Sequence, residues 1–334
     1  MTTAIPDNVT CFDVFNGDAD GICALHQLRL AFPREATEIT GVKRDVALLS
    51  RIDVKAGDRI TVLDISLDTN VEALKKHLTA GAEVEYFDHH AANQRFAHPN
   101  LQLYWNDARD VCTSLLVNEY LEGRYVMWAI VAAFGDNLLD TANGLAMQHG
   151  LSREDRSALM ELGRLLNYNA YGESTEDLHV HPQLLYREVH KFVNPFDFIQ
   201  NSSHFLALQY AFAEETIFLS ELQPVASRGL SEIYLLPDVP WARRLSGLLA
   251  NRLLEERREY SFAVLTPRQQ GGFVVSVRSA HPETLPADRL CSQFAGGGGR
   301  RIAAGINVLE AEQQDLFYQR FFDFFEPAKA GTQL

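Results

Sequence analysis

The sequence is short of cysteine, has no long apolar run and carries no excess of positive charge, and each shortage removes a class of protein. Four cysteines stand in 334 residues, Cys11, Cys23, Cys112 and Cys291. They lie far apart with no CxxC pair, so neither a disulfide framework nor a structural zinc site is expected, and a reduced, cytoplasmic setting fits. No run of about 18 apolar residues occurs, so no membrane span is expected. Met1 to Thr10 has neither a basic segment nor an apolar one, so no signal peptide is expected. The formal net charge is -14. That argues against tight binding of long duplex nucleic acid, whose affinity comes mainly from phosphate neutralisation. A small anionic substrate held in a local basic pocket stays open. Internal repeats and low-complexity tracts are absent as well.

What is present is ordinary for a globular protein: 46% apolar and 22% charged residues, in a chain long enough for two domains with proper cores. The stretch Tyr86-Phe87-Asp88-His89-His90 stands out. An apolar-biased run from Val84 ends at one carboxylate and two imidazoles, all able to bind metal. Adjacent histidines on a strand point to opposite faces, so both serve one site only if the strand has already turned.

Two earlier units end in the same way. Thr10 to Phe15 reads as a buried strand that runs through Asn16-Gly17-Asp18-Ala19-Asp20-Gly21 into a helix from Ile22 to Leu28. Gly17 and Gly21 let the backbone bend closely, and Asp18 or Asp20 can cap the helix. The alternation resembles the start of a calcium loop, but the twelfth position from Asp18 holds Arg29 instead of glutamate. Ile60 to Leu63 is a second short strand, ending in Asp64. Ser66 or Asp68 then opens a helix through Leu74 and Leu78, closed by Gly81. Strands alternating with helices imply a parallel sheet, and such a sheet gathers its strand ends on one edge. Asp18, Asp20, Asp64, Asp88, His89 and His90 should therefore converge. A fourth unit, Tyr125 to Leu139, is apolar at helical spacing and carries Gly135-Asp136-Asn137.

Four gathered aspartates cannot all stay ionised without cations, since mutual repulsion raises their pKa values. Asp18, Asp20, Asp64 and Asp136 would be balanced by two divalent ions. Mixed carboxylate and imidazole ligation suits manganese, with magnesium or cobalt as alternatives. Two such ions about 3.5–4 Å apart can clamp the attacking and leaving oxygens of a phosphoryl displacement.

The middle of the chain, about 145–224, reads as mostly helical. Leu151 to Leu166 has an apolar face with Ser152 as N-cap, and Leu166 to Gly172 should break it. His179, His181, His190 and His204 lack ligand spacing and are expected on the surface or behind ligands. Phe205 to Leu222 is another apolar helix. From Val225 a last domain follows: a strand from Glu232 to Leu236, a helix from Trp241 to Glu259, and strands Ser261 to Thr266 and Gly272 to Ser279. Then comes Gly296-Gly297-Gly298-Gly299-Arg300-Arg301, whose successive amides can cradle an anion. Trp241 to Arg301 holds 10 Arg against 5 Asp plus Glu, a basic stretch in an acidic chain.

Asp18-Ala19-Asp20-Gly21, Asp64, Asp88-His89-His90 and Gly135-Asp136 resemble, in order and approximate spacing, the four motifs of the DHH phosphoesterases. The glycine run resembles the motif of their associated C-terminal domain, with Arg300 where histidine is usual, and Arg278-Ser279 resembles that domain's other substrate-binding position. The resemblance implies two manganese ions: Asp18 on one, Asp20, His89 and Asp136 on the other, and Asp64 bridging. Asp88 and His90 would support ligands and phosphate. Asn16 stands where many members carry a histidine or aspartate ligand, and is a weaker donor.

The expectation is therefore an α/β protein of two domains with the active site in the cleft. Residues 1–145 would bind the metals and the nucleophilic hydroxide, residues 146–224 would form a helical cap, and residues 225–334 would be a smaller substrate-binding domain. Arg278, Ser279, Gly297, Gly298, Gly299 and Arg300 would grip the substrate, a short oligonucleotide or nucleotide, in the manner of the nanoRNase branch. Cyclic-dinucleotide cleavage, pyrophosphate or polyphosphate hydrolysis, and a degraded nucleotide-binding regulator are the alternatives. No membrane partner is expected, and a homodimer stays open.

Overall fold

The apolar runs read above as strands form a five-stranded sheet in the computed structural model, which describes residues 9–326. Residues 1–8, part of the segment expected to hold no signal peptide, lie outside the described residues. The first part of the chain runs β1 (Cys11–Phe15), α1 (Ala19–Ala31), β2 (Thr37–Ile39), β3 (Arg59–Leu63), α2 (Leu67–Thr79), β4 (Glu83–Asp88) and β5 (Leu101–Trp105). It continues with α3 (Thr113–Tyr120), α4 (Val126–Gly135), α5 (Leu139–Gln148), α6 (Arg153–Ala170), α7 (Pro182–Val189), α8 (Pro195–Asn201) and α9 (Ser203–Glu221). The strand order is β2-β1-β3-β4-β5, and every neighbouring pair is parallel.

β1 is buried at all its positions, as a strand covered on both faces must be. Phe12, Val14, Ile60, Val62, Val84 and Tyr86 alternate onto one face and pack with Leu74 and Leu78 of α2. The residues between them face α1 and α3 on the other side. On that face Asp13, 2% exposed, pairs across the register with Thr61. Its carboxylate accepts two bonds from the buried guanidinium of Arg29, Nε to Oδ2 at 2.7 Å and Nη2 to Oδ1 at 2.5 Å.

Two sequence expectations change. The sheet has five strands where three were expected; β2 and β5 are its short, half-exposed edges. Within Tyr125 to Leu139 the buried helix ends at Asp136, and Asn137 takes a left-handed φ of 61° before α5. α6 does not break at Leu166. It continues to Ala170, because Asn169 finds partners beyond the helix, bonding the carbonyl and the amide of Val180 at 2.8 and 3.0 Å. Ser152 caps it, with Asp155 returning the bond.

His26 in α1 is fully buried against Trp128, ring centroids 4.6 Å apart. Its Nε2 donates to the carbonyl of Phe192 at 3.0 Å, and its Nδ1 meets His190 Nδ1 at 3.1 Å. A carbonyl only accepts, so Nε2 carries a hydrogen, and in the neutral ring Nδ1 is the acceptor facing His190. Burial, and then the neighbouring His190, push its pKa down to about 3. The unfolded chain takes up this proton below about pH 6.5 and the folded chain does not, so stability falls as pH drops from there towards 3. At pH 5 the loss from this group is about 2 kcal/mol. The unfolding free energy should therefore fall less between pH 7.5 and pH 5 in His26→Gln than in the native chain. Equal falls in denaturant titrations would refute this.

The chain divides by packing into two units, at Phe212 and Ala213 within α9. The second unit carries β6 (Ala226–Arg228), β7 (Ser231–Leu235), α10 (Pro240–Glu256), β8 (Ser261–Pro267), β9 (Phe273–Arg278), α11 (Ala287–Cys291), β10 (Gly297–Gly299), β11 (Ala303–Leu309) and α12 (Gln314–Phe325). Its mixed sheet has the order β10-β11-β9-β8-β7-β6, with β7 and β8 the parallel pair. Phe317, Phe321 and Phe325 of α12 fill the core with Val275, Val277 and Ile306. All four cysteines are buried and free. Among the described residues no helix is long and apolar enough to cross a membrane.

Candidate metal centre

The carboxyl ends of β1, β3 and β4 lie side by side in the sheet, and each delivers ligand-type side chains there. After β1 the chain turns through Asn16 and Gly17 into α1. A Cβ on Gly17 would meet the Gly41 carbonyl at 2.0 Å, and one on Gly21 would meet the Asn16 carbonyl at 2.2 Å. Only glycine allows these approaches. Asp18 caps α1: its Oδ1 accepts from the amides of Asp20 and Gly21 at 3.0 and 3.1 Å. The capping role considered from sequence is real and coexists with a place in the cluster.

Asp20 is fully buried. Both of its oxygens are held by the N-terminus of α3, Thr113 N to Oδ2 and Ser114 N to Oδ1, each at 2.7 Å. Asp64 follows β3 directly, with a left-handed φ of 60°. Such strain in a non-glycine residue costs on the order of 1–3 kcal/mol and gathers at functional sites. Thr113 Oγ1 donates to Asp64 Oδ1 at 3.3 Å. Asp136 sits at the C-cap of α4, where the helix dipole disfavours a carboxylate. A cation is the compensation that position needs.

β4 ends at Asp88, so the two histidines beyond it are free of strand geometry. His89 Nδ1 lies 3.1 Å from the Val111 carbonyl, so Nδ1 carries a hydrogen, and in the neutral ring the lone pair is on Nε2. That Nε2 lies 3.4 Å from Asp64 Oδ1, 3.6 Å from Asp136 Oδ2 and 3.9 Å from Asp20 Oδ2. Asp88 faces the other way: Oδ2 accepts from Leu67 N at 3.2 Å, and Oδ1 binds His90 Nδ1 at 2.7 Å. His90 is thereby turned with Nε2 outward. Burial opposes its protonation, but the bond and charge of Asp88 outweigh that and raise its pKa.

Among the described residues two sets could hold a metal ion: Asp20, His89 and Asp136, and Asp64, His89 and His90. The electrostatics fit a divalent cation. Burial, and then the charges of Asp20, Asp18 and Asp136, push the Asp64 carboxyl well above the usual range. Asp20 is raised by burial and then by Asp136. These groups ionise together only beside positive charge. The buried Oδ1 of Asn16, which has no hydrogen-bond partner, is a further neutral donor.

Lys43, Asn167, Thr113 and Ser114 were not found from sequence. Lys43 Nζ bonds Asp18 Oδ2, and lies 3.3 Å from Asp136 Oδ1 and 3.4 Å from Asn167 Oδ1. The only signal for Asn167 was its polarity within an apolar helix. The four histidines of the middle segment stay out of the cluster: His190 meets His26, and His179 bonds the Tyr168 hydroxyl at 2.8 Å.

In the second unit Arg278 ends β9 with Nε 3.0 Å from Asn251 Oδ1. Ser279 is buried, its hydroxyl donating to the Leu285 carbonyl at 2.6 Å. Gly297, Gly298 and Gly299 form edge strand β10, opposite Ile306, Gly305 and Ala304. A Cβ on Gly297 would meet the Cys291 carbonyl at 1.9 Å, whereas Gly298 faces open space. Arg300 and Arg301 lie exposed where β10 turns to β11. The basic excess shrinks on inspection, because Arg243, Arg244, Arg252, Arg257 and Arg301 pair with Asp238, Glu215, Glu256, Glu232 and Glu283.

No family model and no curated protein matches the sequence. Solved structures do match the fold. A DHH-domain protein described as a member of a family of ribosomal proteins superposes with a TM-score of 0.62 at 13% identity, over 94% of this chain and 85% of that one. The exonuclease RecJ bound to manganese gives 0.57 at 18%, over 95% and 90%. The pGpG-specific phosphodiesterase PggH from Vibrio cholerae gives 0.54 at 14%, over 93% and 98%. At these identities the likeness establishes the architecture: this chain shares the two-domain fold of DHH-domain proteins.

Proposed function

We propose that the chain is a metal-dependent phosphoesterase acting on short oligonucleotides or nucleotides, with manganese as its first metal. The observation that carries this is the convergence of the lone pair of His89 with Asp20, Asp64 and Asp136 at the carboxyl edge of a parallel sheet. Two proteins of the same fold, RecJ bound to manganese and the pGpG-specific phosphodiesterase, support the reaction class. A bound divalent ion polarises a phosphoryl oxygen and lowers the pKa of water.

The chain's own residues supply the rest. Asp20 and Asp64 are fixed by Thr113 and Ser114, so they need no reorganisation. His90, oriented by Asp88 and with its pKa raised by that carboxylate, is the group placed to give a proton to a leaving oxygen. In the second unit, taken by itself, Arg278 and Arg300 are the groups suited to binding phosphate, Arg300 as a bidentate donor.

The test is a substrate panel with manganese: pGpG, other dinucleotides, a twelve-mer, phosphoadenosine phosphate, a cyclic dinucleotide and pyrophosphate. Dinucleotides should be cut much faster than the twelve-mer. A chain with net charge -14 repels long polyanions, whose binding needs many phosphate contacts. Arg300→Ala should lower kcat/KM by about 1–3 kcal/mol, mostly through KM. Faster cleavage of the twelve-mer would move the reading to a processive exonuclease, and no turnover of any substrate would leave a nucleotide-binding regulator.

A further inference from the structure

Lys43 sits in a socket built for an ammonium ion. Its backbone is pinned at both ends: its amide donates to the Ala170 carbonyl at 2.8 Å, and its carbonyl accepts from Asn16 Nδ2 at 3.2 Å. Its Nζ meets three oxygens, from Asp18, Asp136 and Asn167. Asn167 is itself oriented, because its Nδ2 donates to the Gly135 carbonyl at 2.6 Å and so turns Oδ1 towards a donor.

Both oxygens of Asp18 have partners without a metal. One oxygen takes two backbone amides and the other takes Lys43. Among the described residues it belongs to neither of the two sets that could hold an ion. The identity of residue 16 follows from the same arrangement. Only a side chain that carries a hydrogen-bond donor can bond the Lys43 carbonyl, and an ionised aspartate there could not. The competing occupant is a second ion drawing on Asp18 and the free Oδ1 of Asn16; it would have to displace Lys43 from Asp18.

We propose that the ammonium of Lys43 is the permanent cation of the Asp18 position, so that the chain binds one divalent ion, at Asp20, Asp64, His89 and Asp136, instead of two. This rests on the metal-dependent reading above and replaces the ion count expected from sequence. One divalent ion with Lys43 offsets three of the four aspartate charges. A covalently attached cation also cannot be lost to a chelator or diluted away.

Manganese uptake measured by equilibrium dialysis, with the electron paramagnetic resonance spectrum of the bound metal, tests it without any assay of activity. The native chain should take up one ion per chain and show the six-line spectrum of isolated manganese. Lys43→Met, which keeps length and removes charge, should take up two and show an exchange-broadened spectrum, while Lys43→Arg should stay at one. Two ions in the native chain would overturn the role of Lys43 and leave the phosphoesterase reading standing. A single ion in a folded Lys43→Met would overturn it too. If that variant does not fold, the native count and spectrum decide. No bound ion at all would remove both readings.

Discussion

Asp64→Asn is expected to reduce turnover to the background of manganese in buffer, and to make the metal-free protein more stable. Both outcomes come from one fact. Asp64 is buried among Asp20, Asp18 and Asp136, and its carboxyl is raised well above the usual range by burial and by those charges. The group is expensive to hold ionised and has value only beside a cation. Asparagine keeps the shape and tolerates the left-handed backbone, while alanine there would add strain. Native protein should gain thermal stability on adding manganese, since a ligand bound only by the folded state stabilises by mass action. The variant should gain little. A folded Asp64→Asn enzyme with near-native activity and metal uptake would show that the centre is wrongly placed.

Asp13→Ala should cost about 3–5 kcal/mol of folding stability, the penalty for leaving a buried partner charge uncompensated. Arg29 is 5% exposed and gives two bonds to Asp13, and Arg34 reaches the same carboxylate at 3.4 Å. The loss would be a large part of the roughly 5–15 kcal/mol that holds a domain folded. Removing both partners is different: Asp13→Val with Arg29→Met should recover most of it, because apolar residues of similar volume replace buried ion pairs well. Denaturant unfolding of the single and double variants checks this. A double variant as unstable as the single one would show that the pair contributes more than it costs to bury.

The acidic edge was legible in sequence because its ligand-type residues stand where strands stop. Runs ending at Phe15, Leu63 and Phe87 announce themselves by burial, and the residues just beyond them meet at one edge of any parallel sheet. β2 and β5 were not legible. Thr-Glu-Ile and Leu-Gln-Leu-Tyr-Trp are half-exposed edges and lack the continuous apolar run of a central strand. Lys43, Thr113 and Asn167 reach the cluster through tertiary contacts alone, from segments far apart in the chain, so no local spacing marks them. Asn137 and Asp64 carry no sign of their left-handed backbone, since aspartate and asparagine are common in ordinary turns. The glycine run gave no sign of a strand, because its composition cannot distinguish a flexible segment from an edge strand in which Gly297 is packed too closely for a Cβ.

Two helix N-termini converge on the acidic cluster, α1 on Asp18 and α3 on Asp20, and a third, α2, holds Asp88 behind His90. Each brings roughly half a positive charge and backbone donors that no metal has to replace. The order of assembly follows from this. A site whose repulsion is offset by main-chain dipoles and one lysine can form during folding, before any ion arrives, unlike a zinc finger that is unfolded without its metal. On the proposed function, metal loading is an exchange on a finished protein, and the surrounding metal supply sets occupancy without passing any molecule through the unfolded state.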